Sequence, residues 1–180
     1  MPGLIDNALG LRRPRLAATG LAASADTVHW EPHMFPGPED IRHKVELPSA
    51  LQADLLAQAH AAAPHECCGI LLGTPAADGR PATVVLADPA FNLEAGQSTQ
   101  RFRIAPADIA HASALARERG LEVLGFYHSH PRGLAEPSAE DVQEGSAWPG
   151  YLHLIAAPND RPALRAFRTG AMHWHELTIL

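Results

Sequence analysis

The sequence predicts an α+β fold, an α/β/α sandwich in which a central mixed β-sheet is flanked by helices. Short apolar runs of strand length alternate with longer stretches that carry helix start and stop signals. Proline, glycine and aspartate mark the boundaries between these runs. Taken in order, the signals give β-α-β-β-β-α-β-α-β-β-β, and this order favours helices packed against one sheet.

The first half of the predicted sheet lies between residues 43 and 104. His43–Leu47 alternates as a short strand, and Ser49 is expected to cap a helix that ends at Pro64. Glu66–Gly73 is a continuous apolar run, which indicates a buried strand. A hairpin turn follows at residues 78–79, and two more strands are predicted at Ala82–Ala87 and Arg101–Ile104.

The second half begins with a helix and continues through a strongly apolar strand. Pro106 suits the first position of a helix that runs to Arg119 and is closed by Gly120. The run that starts at Leu121 is rich in Val, Leu, Phe and Tyr, so we expect a buried central strand. Ser138 is expected to open a short helix. Three further strands are predicted at Tyr151–Ala157, Ala163–Arg168 and Met172–Ile179.

Residues 1–42 differ from the rest of the chain because their pattern shows no core of its own. We expect a poorly ordered N-terminal extension over residues 1–42, followed by one domain over residues 43–180. Arginines near the start precede an alanine-rich stretch that faintly resembles a signal peptide. That stretch is short and is interrupted by Thr19 and Gly20, so we do not expect a signal.

The bulk composition is that of a soluble globular protein. The chain has 180 residues, of which 46% are hydrophobic and 19% charged. Its net charge of -6 argues against a nucleic-acid partner, and no apolar stretch approaches the length needed to span a bilayer. Cys67 and Cys68 are adjacent and cannot form a disulfide framework, so we expect a reducing, cytoplasmic location without a membrane partner.

The stretch from His128 to Asp141 carries a candidate metal site. His128 and His130 stand two residues apart at a strand end, so both imidazoles can point to the same face. Asp141 falls in the first turn of the following helix. Three such ligands are the number that a catalytic zinc site uses while leaving its fourth position for water. Ser138-x-x-Asp141 is also a helix capping box, which alone is usually structural, but the whole combination favours one zinc ion per chain.

A hydrolytic zinc site also needs a group that moves protons, and Glu66 is the candidate. It is an acid at the start of an apolar strand, where a bare carboxylate is costly unless it has a partner or a task. The alternative is that Glu66 simply lies exposed at the strand end. Its position alone favours that alternative.

Other histidines and cysteines are expected to be structural or exposed. Cys68 is interpreted as a small residue of a buried strand rather than a soft metal ligand. The His-Trp-His motif at residues 173–175 has no Ser-x-x-Asp beside it, so we expect a surface face of the last strand. His111 and His153 have no supporting partners in the sequence.

Together, three motifs resemble those of the JAMM (MPN+) family of zinc metallopeptidases. They are Glu66-x-Cys68-Gly69, His128-Ser129-His130-Pro131 and Pro137-Ser138-x-x-Asp141. The resemblance covers about Lys44 to Leu180 and implies a cytidine-deaminase-like MPN fold. It further implies that His128, His130 and Asp141 hold one zinc ion. In the same way it assigns Glu66 as general base and Ser138 as a donor to the oxyanion.

The loops predicted at Asp88–Gln100 and Gln143–Gly150 are short, which favours the compact prokaryotic branch of that family. The resemblance then implies a deubiquitinase-like hydrolase of a peptide or isopeptide bond. The bond would follow the C-terminal glycine of a ubiquitin-like, sulfur-carrier type protein with a Gly-Gly tail. Two alternatives stay open, a non-catalytic MPN-type interaction module and a RadC-like protein associated with nucleic acid. The carrier, the released group and the oligomeric state are open as well.

Overall fold

The structure is a computed structural model that describes residues 43–170 and 173–180. The extension and the signal-like stretch predicted over residues 1–42 lie outside the described residues. Across the described part of the chain, no helix has the length and apolar character that crossing a membrane would require.

Within the described residues the chain forms seven strands and three helices. The strands are β1 (Lys44–Glu46), β2 (Cys68–Thr74), β3 (Ala82–Ala90), β4 (Glu122–Ser129), β5 (Leu152–Ala157), β6 (Ala163–Arg168) and β7 (His175–Ile179). The helices are α1 (Ser49–Ala62), α2 (Pro106–Glu118) and α3 (Ala139–Gly145).

The strands close into a mixed barrel in the order β1-β3-β2-β4-β5-β6-β7. β1 pairs in parallel with both β3 and β7, and β4 pairs in parallel with β5. The predicted α/β/α sandwich is therefore wrong, because β1 joins the two ends of the sheet. Val45 lies opposite both Ala82 and Ile179 at this closure. The sandwich was predicted from local hydrophobic periodicity, and pairing between residues so distant in sequence does not affect that periodicity.

The apolar runs are buried on both faces, as the continuous hydrophobic pattern of β2 indicates. Leu71 of β2 and Tyr127 of β4 pack in one cluster, together with Leu55 of α1. Ile70 and Phe126, their neighbours along the same two strands, pack in another cluster beside α2. Alternate side chains of each strand thus pack in different clusters. Because β2 and β4 lie between these two clusters, they form the centre of the fold.

Three predicted element details are wrong. Residues 101–104 form no strand, because hydrogen bonds to a buried asparagine side chain replace strand pairing there. Ser49 is the first residue of α1 rather than its cap; Pro48 occupies the cap position, where it makes no side-chain hydrogen bond. The last strand starts at His175, later than predicted.

The predicted turn at Asp78 and Gly79 is confirmed, because the two residues have positive φ angles of 51° and 76°.

Gly125 permits the close approach of β4 to β5, and its replacement should be costly. A Cβ at this position would overlap the backbone carbonyl of Leu152, the paired residue on β5. We expect Gly125→Ala to lower the free energy of unfolding by about 3 kcal/mol, because neither backbone can move without breaking the ladder. Urea unfolding measures this change.

Gly96→Ala is the matched control, since a Cβ added there meets nothing within 4 Å. Its stability should equal or slightly exceed that of the wild type. Equal stability of the Gly125→Ala protein and the wild type would contradict the packing described for β4 and β5.

Candidate metal centre and catalytic cleft

The predicted ligands come together where β4 ends and α3 begins. His128 Nε2 lies 3.0 Å from His130 Nε2. The Asp141 carboxylate lies 3.3 Å from His128 Nε2 through one oxygen and 3.4 Å from His130 Nε2 through the other. Across residues 43–170 and 173–180, these side chains form the one group of three or more His, Cys, Asp or Glu residues compact enough to hold a metal ion.

Ser138 orients the Asp141 carboxylate. The predicted capping box is confirmed: Ser138 Oγ accepts a hydrogen bond from the Asp141 amide at 3.1 Å. In return, the Ser138 amide and hydroxyl donate to Asp141 Oδ2 at 2.7 Å and 2.6 Å. The capping box and the ligand cluster are thus one arrangement, because the oxygens of the capping carboxylate also face the two histidines.

Hydrogen bonds behind the imidazoles determine which nitrogen atoms face the cluster. His130 Nδ1 lies 2.9 Å from the carbonyl oxygen of Leu134, which can only accept, so Nδ1 carries a proton and Nε2 is the ring nitrogen that faces the cluster. His128 Nδ1 lies 2.9 Å from Nε2 of His153. The expectation that His153 lacks a partner is therefore wrong. β5 delivers this buried ring beside His128, and the parallel register that does so cannot be inferred from sequence.

The donor set fits a zinc ion. His130 Nε2 and the two Asp141 oxygens converge on the space next to His128 Nε2, where a cation would replace the protons that these groups otherwise share. Tetrahedral zinc with ligands about 2.0–2.2 Å away separates its ligand atoms by about 3.3–3.6 Å. The two histidine nitrogens lie 3.0 Å apart, and each lies 3.3–3.4 Å from a different oxygen of Asp141, so the individual pairs are close to that range. With one ligand atom from each residue, all three ligand atoms lie within 4.8 Å of one another, which is compact enough to hold the ion.

The electrostatics of the metal-free cluster favour two neutral imidazoles and an ionised carboxylate, while His130 holds its proton more strongly. Burial lowers the pKa of His128 and of His153, so both rings are neutral, which is the form that binds metals. Burial opposes a charge on His130 as well, but the hydrogen bonds with Asp141 and with the Leu134 carbonyl outweigh it and raise its pKa. Burial would raise the pKa of Asp141, yet hydrogen bonds from the two histidines and Ser138 hold it well below its usual range.

Glu66 lies just before β2 and is buried, with 6% of its surface exposed, so the alternative of an exposed strand end is wrong. Its backbone carbonyl accepts a hydrogen bond of 3.0 Å from Asn92. Glu66 lines a polar cleft of about 40 Å³ together with Ser138 and Asp141. Burial raises the pKa of its carboxyl to about 7.

The loop from β3 to α2 forms the opposite wall of the cleft, and sequence reasoning missed the two residues that shape it. Asn92 is buried and donates to the carbonyls of Glu66 and Arg101, while its oxygen accepts from the amides of Glu94 and Arg103. Phe102 stacks on the His128 ring with centroids 4.5 Å apart. No spacing or composition signal marks either residue, because their partners are distant in sequence.

The remaining histidine and cysteine predictions have mixed outcomes. Cys68 is buried, as predicted, and both cysteines are free. His173 and His175 are exposed as predicted, and so is His111 on α2. Trp174 between them is half-buried and stacks on His153 with centroids 4.5 Å apart, so the surface-face interpretation is wrong for this residue.

Comparison with family models matches residues 48–170 to the prokaryotic homologs of the JAB domain. A desampylase of Haloferax volcanii is 36% identical over 98 residues, which are 54% of this chain and 66% of the relative. The match therefore spans slightly less than two thirds of that relative. A solution structure from Desulfitobacterium hafniense aligns with a TM-score of 0.66 at 31% identity and covers 76% of this chain and 91% of its own. Another from Salinibacter ruber aligns with a TM-score of 0.58 at 33% identity and covers 75% and 90%.

Burial of Glu66 should make the stability of the metal-free protein depend on pH. Its folded pKa of about 7 exceeds the ordinary 4.5, so the protonated carboxyl favours the folded state, and this contribution is lost as pH rises from 4.5 towards 7. Glu66→Gln cannot titrate. We expect the wild type to lose stability relative to Glu66→Gln between about pH 5 and about pH 8 in chelator-treated protein, measured by urea unfolding. A constant difference would mean that the carboxyl is solvated.

Proposed function

Because the chain belongs to the family of prokaryotic homologs of the JAB domain, we propose that it is a zinc-dependent hydrolase of peptide or isopeptide bonds. Its substrates would be conjugates of a small ubiquitin-like protein, cleaved after the C-terminal glycine of a Gly-Gly tail. The family resemblance drawn from the three motifs is confirmed by the family match. The relative named desampylase supports the substrate class, and the two free cysteines support a cytoplasmic location.

One observation carries the proposal: His128, His130 and Asp141 converge beside the cleft that Glu66 and Ser138 line. Zinc held by the first three residues would supply Lewis-acid chemistry, which polarises a carbonyl and makes water more acidic. A non-catalytic interaction module would need neither the converging donors nor a buried acid in the same cleft. The geometry therefore supports the enzyme over the module.

Glu66 is proposed as the general base and acid. In the metal-free protein, burial raises the pKa of this carboxyl to about 7, which indicates a site where the acid can bind a proton as well as release it. It would accept the proton of the attacking water and deliver it to the departing amine. Ser138 would donate to the developing oxyanion. Its hydroxyl now donates to Asp141, so this role requires the hydroxyl to turn from the carboxylate towards the substrate.

The size of the cleft supports glycine at the scissile carbonyl. The polar cleft next to Glu66 has a volume of only about 40 Å³, which leaves little room for a side chain. Arg132 and Leu134 are exposed in the loop that follows the histidines. We propose that this loop contacts the carrier tail.

Zinc content tests the ligand assignment. We expect one zinc ion per chain in the wild type and far less in His128→Ala and His130→Ala, because two remaining protein ligands make a poor zinc site. His111→Ala, an exposed histidine of α2, is the matched control and should keep its zinc. Elemental analysis gives the metal content, and circular dichroism verifies folding. A full equivalent of zinc in folded His128→Ala would overturn the assignment.

Conjugates that differ in one tail residue test the substrate class. The wild type should release X from a carrier ending Gly-Gly-X much faster than from one ending Gly-Val-X, because valine does not fit the cleft. Mass spectrometry follows the release of X. Glu66→Gln is the control that keeps its zinc and should lose about 10²–10⁴-fold in turnover. Equal rates for the two conjugates would exclude selection of glycine, and full activity of Glu66→Gln would exclude its role as base.

A further inference from the structure

An apolar cavity of about 180 Å³ lies next to the catalytic cleft. Its apolar wall comes from the loop before α2, from α2 itself, from β4 and from the segment after α3. The residues of this wall are Phe102, Ile104, Ile109, Phe126 and Trp148. None of the predicted catalytic roles uses this space.

The cavity and the catalytic cleft are neighbours with a common boundary. Four residues line both spaces, namely Phe102, Arg103, Asp141 and Glu144. Asp141 is a proposed metal ligand, and Phe102 stacks on another, His128. The cavity therefore lies on the other side of a wall that includes a proposed metal ligand, directly beside the reacting centre.

The interior of the cavity is suited to a carbon side chain. A closed apolar cavity of about 150 Å³ accommodates benzene, so this volume suffices for a phenyl or isobutyl group. The Thr169 hydroxyl, a polar group in the lining, shares its one hydrogen between the backbone carbonyls of Trp148 and Tyr151. The exposed Arg103 and Glu144 keep their charges in contact with solvent. An acidic side chain inside would lose its hydration and would face the carboxylates of Asp141 and Glu144, which also line the cavity.

We propose that this cavity binds the apolar side chain carried by the amine that leaves the carrier. The inference rests on the proposed function, which places glycines without side chains on the acyl side of the scissile bond. The first side chain beside the reacting centre then belongs to the leaving group. The enzyme selects leaving amines with a side chain of phenylalanine or leucine size over small or acidic ones.

The test uses the full-length chain and carrier conjugates ending Gly-Gly-Phe, Gly-Gly-Ala and Gly-Gly-Asp. We expect kcat/KM for the Phe conjugate to exceed that for the Ala conjugate by about 10-fold or more, with the Asp conjugate slowest. Ile109→Trp fills the cavity from α2 and should remove the preference for Phe while leaving the Ala conjugate unaffected. Leu115→Trp is the matched control, because Leu115 packs on the same cluster from the same helix but does not line the cavity.

A binding measurement separates the failure of this inference from the failure of the proposed function. Calorimetric titration with phenylalanine amide and alanine amide needs no turnover. The cavity assignment is supported if the wild type binds phenylalanine amide more tightly than alanine amide and Ile109→Trp does not. This holds even if no conjugate is cleaved. A failure to cleave any conjugate would contradict the carrier substrate instead. Equal kcat/KM for Phe and Ala conjugates, or equal affinity for the two amides, overturns the inference. If Ile109→Trp does not fold, the comparisons of Phe and Ala ligands made with the wild type still test the inference.

Discussion

The site depends on the hydrogen bonds that hold the end of β4 from both sides. On one side, the Ser129 amide donates to the Cys67 carbonyl, and the Cys67 amide donates to Ser129 Oγ. On the other side, the His130 amide donates to the Ala156 carbonyl at the end of β5. Because Ser129 alternates with the two histidines, its fully buried side chain points away from them and towards the start of β2. One strand end thereby determines the positions of both histidines and of the residue next to Glu66.

The buried side chain of Asn92 fixes the conformation of the loop from β3 to α2, as the end of β4 fixes the positions of the histidines. The side-chain nitrogen of Asn92 donates two hydrogen bonds and its oxygen accepts two. The partners of these bonds lie before β2 and along residues 94–103. A buried asparagine with an unmade hydrogen bond would be costly, so the loop has few alternatives to this conformation. Phe102 is thereby held against His128, where it limits the access of water to the imidazole.

The predictions that succeeded rest on local chemistry. The His-x-His spacing and the Ser138-x-x-Asp141 box each act within a few residues, so the sequence was sufficient to bring the ligands together. Barrel closure through Val45 and the contact between His128 and His153 depend on pairings across the whole chain. The same holds for residues 101–104, whose strand-like pattern was overridden by hydrogen bonds to Asn92. Periodicity carries no information about such distant partners.

Asp141 belongs both to the cluster with the two histidines and to the cap of α3, so a change at this position affects both. The same carboxylate faces the histidines and caps α3, a helix of seven residues that is too short to be stable without help. Replacement of Asp141 by a residue without an acceptor would therefore remove a proposed metal donor and also loosen the helix that carries Glu144 and Gly145 towards the apolar cavity. A lineage that abandoned the metal would be expected to retain an acceptor at this position for the sake of folding. Sequence retention of Asp141 alone is thus a poor marker of activity in related chains.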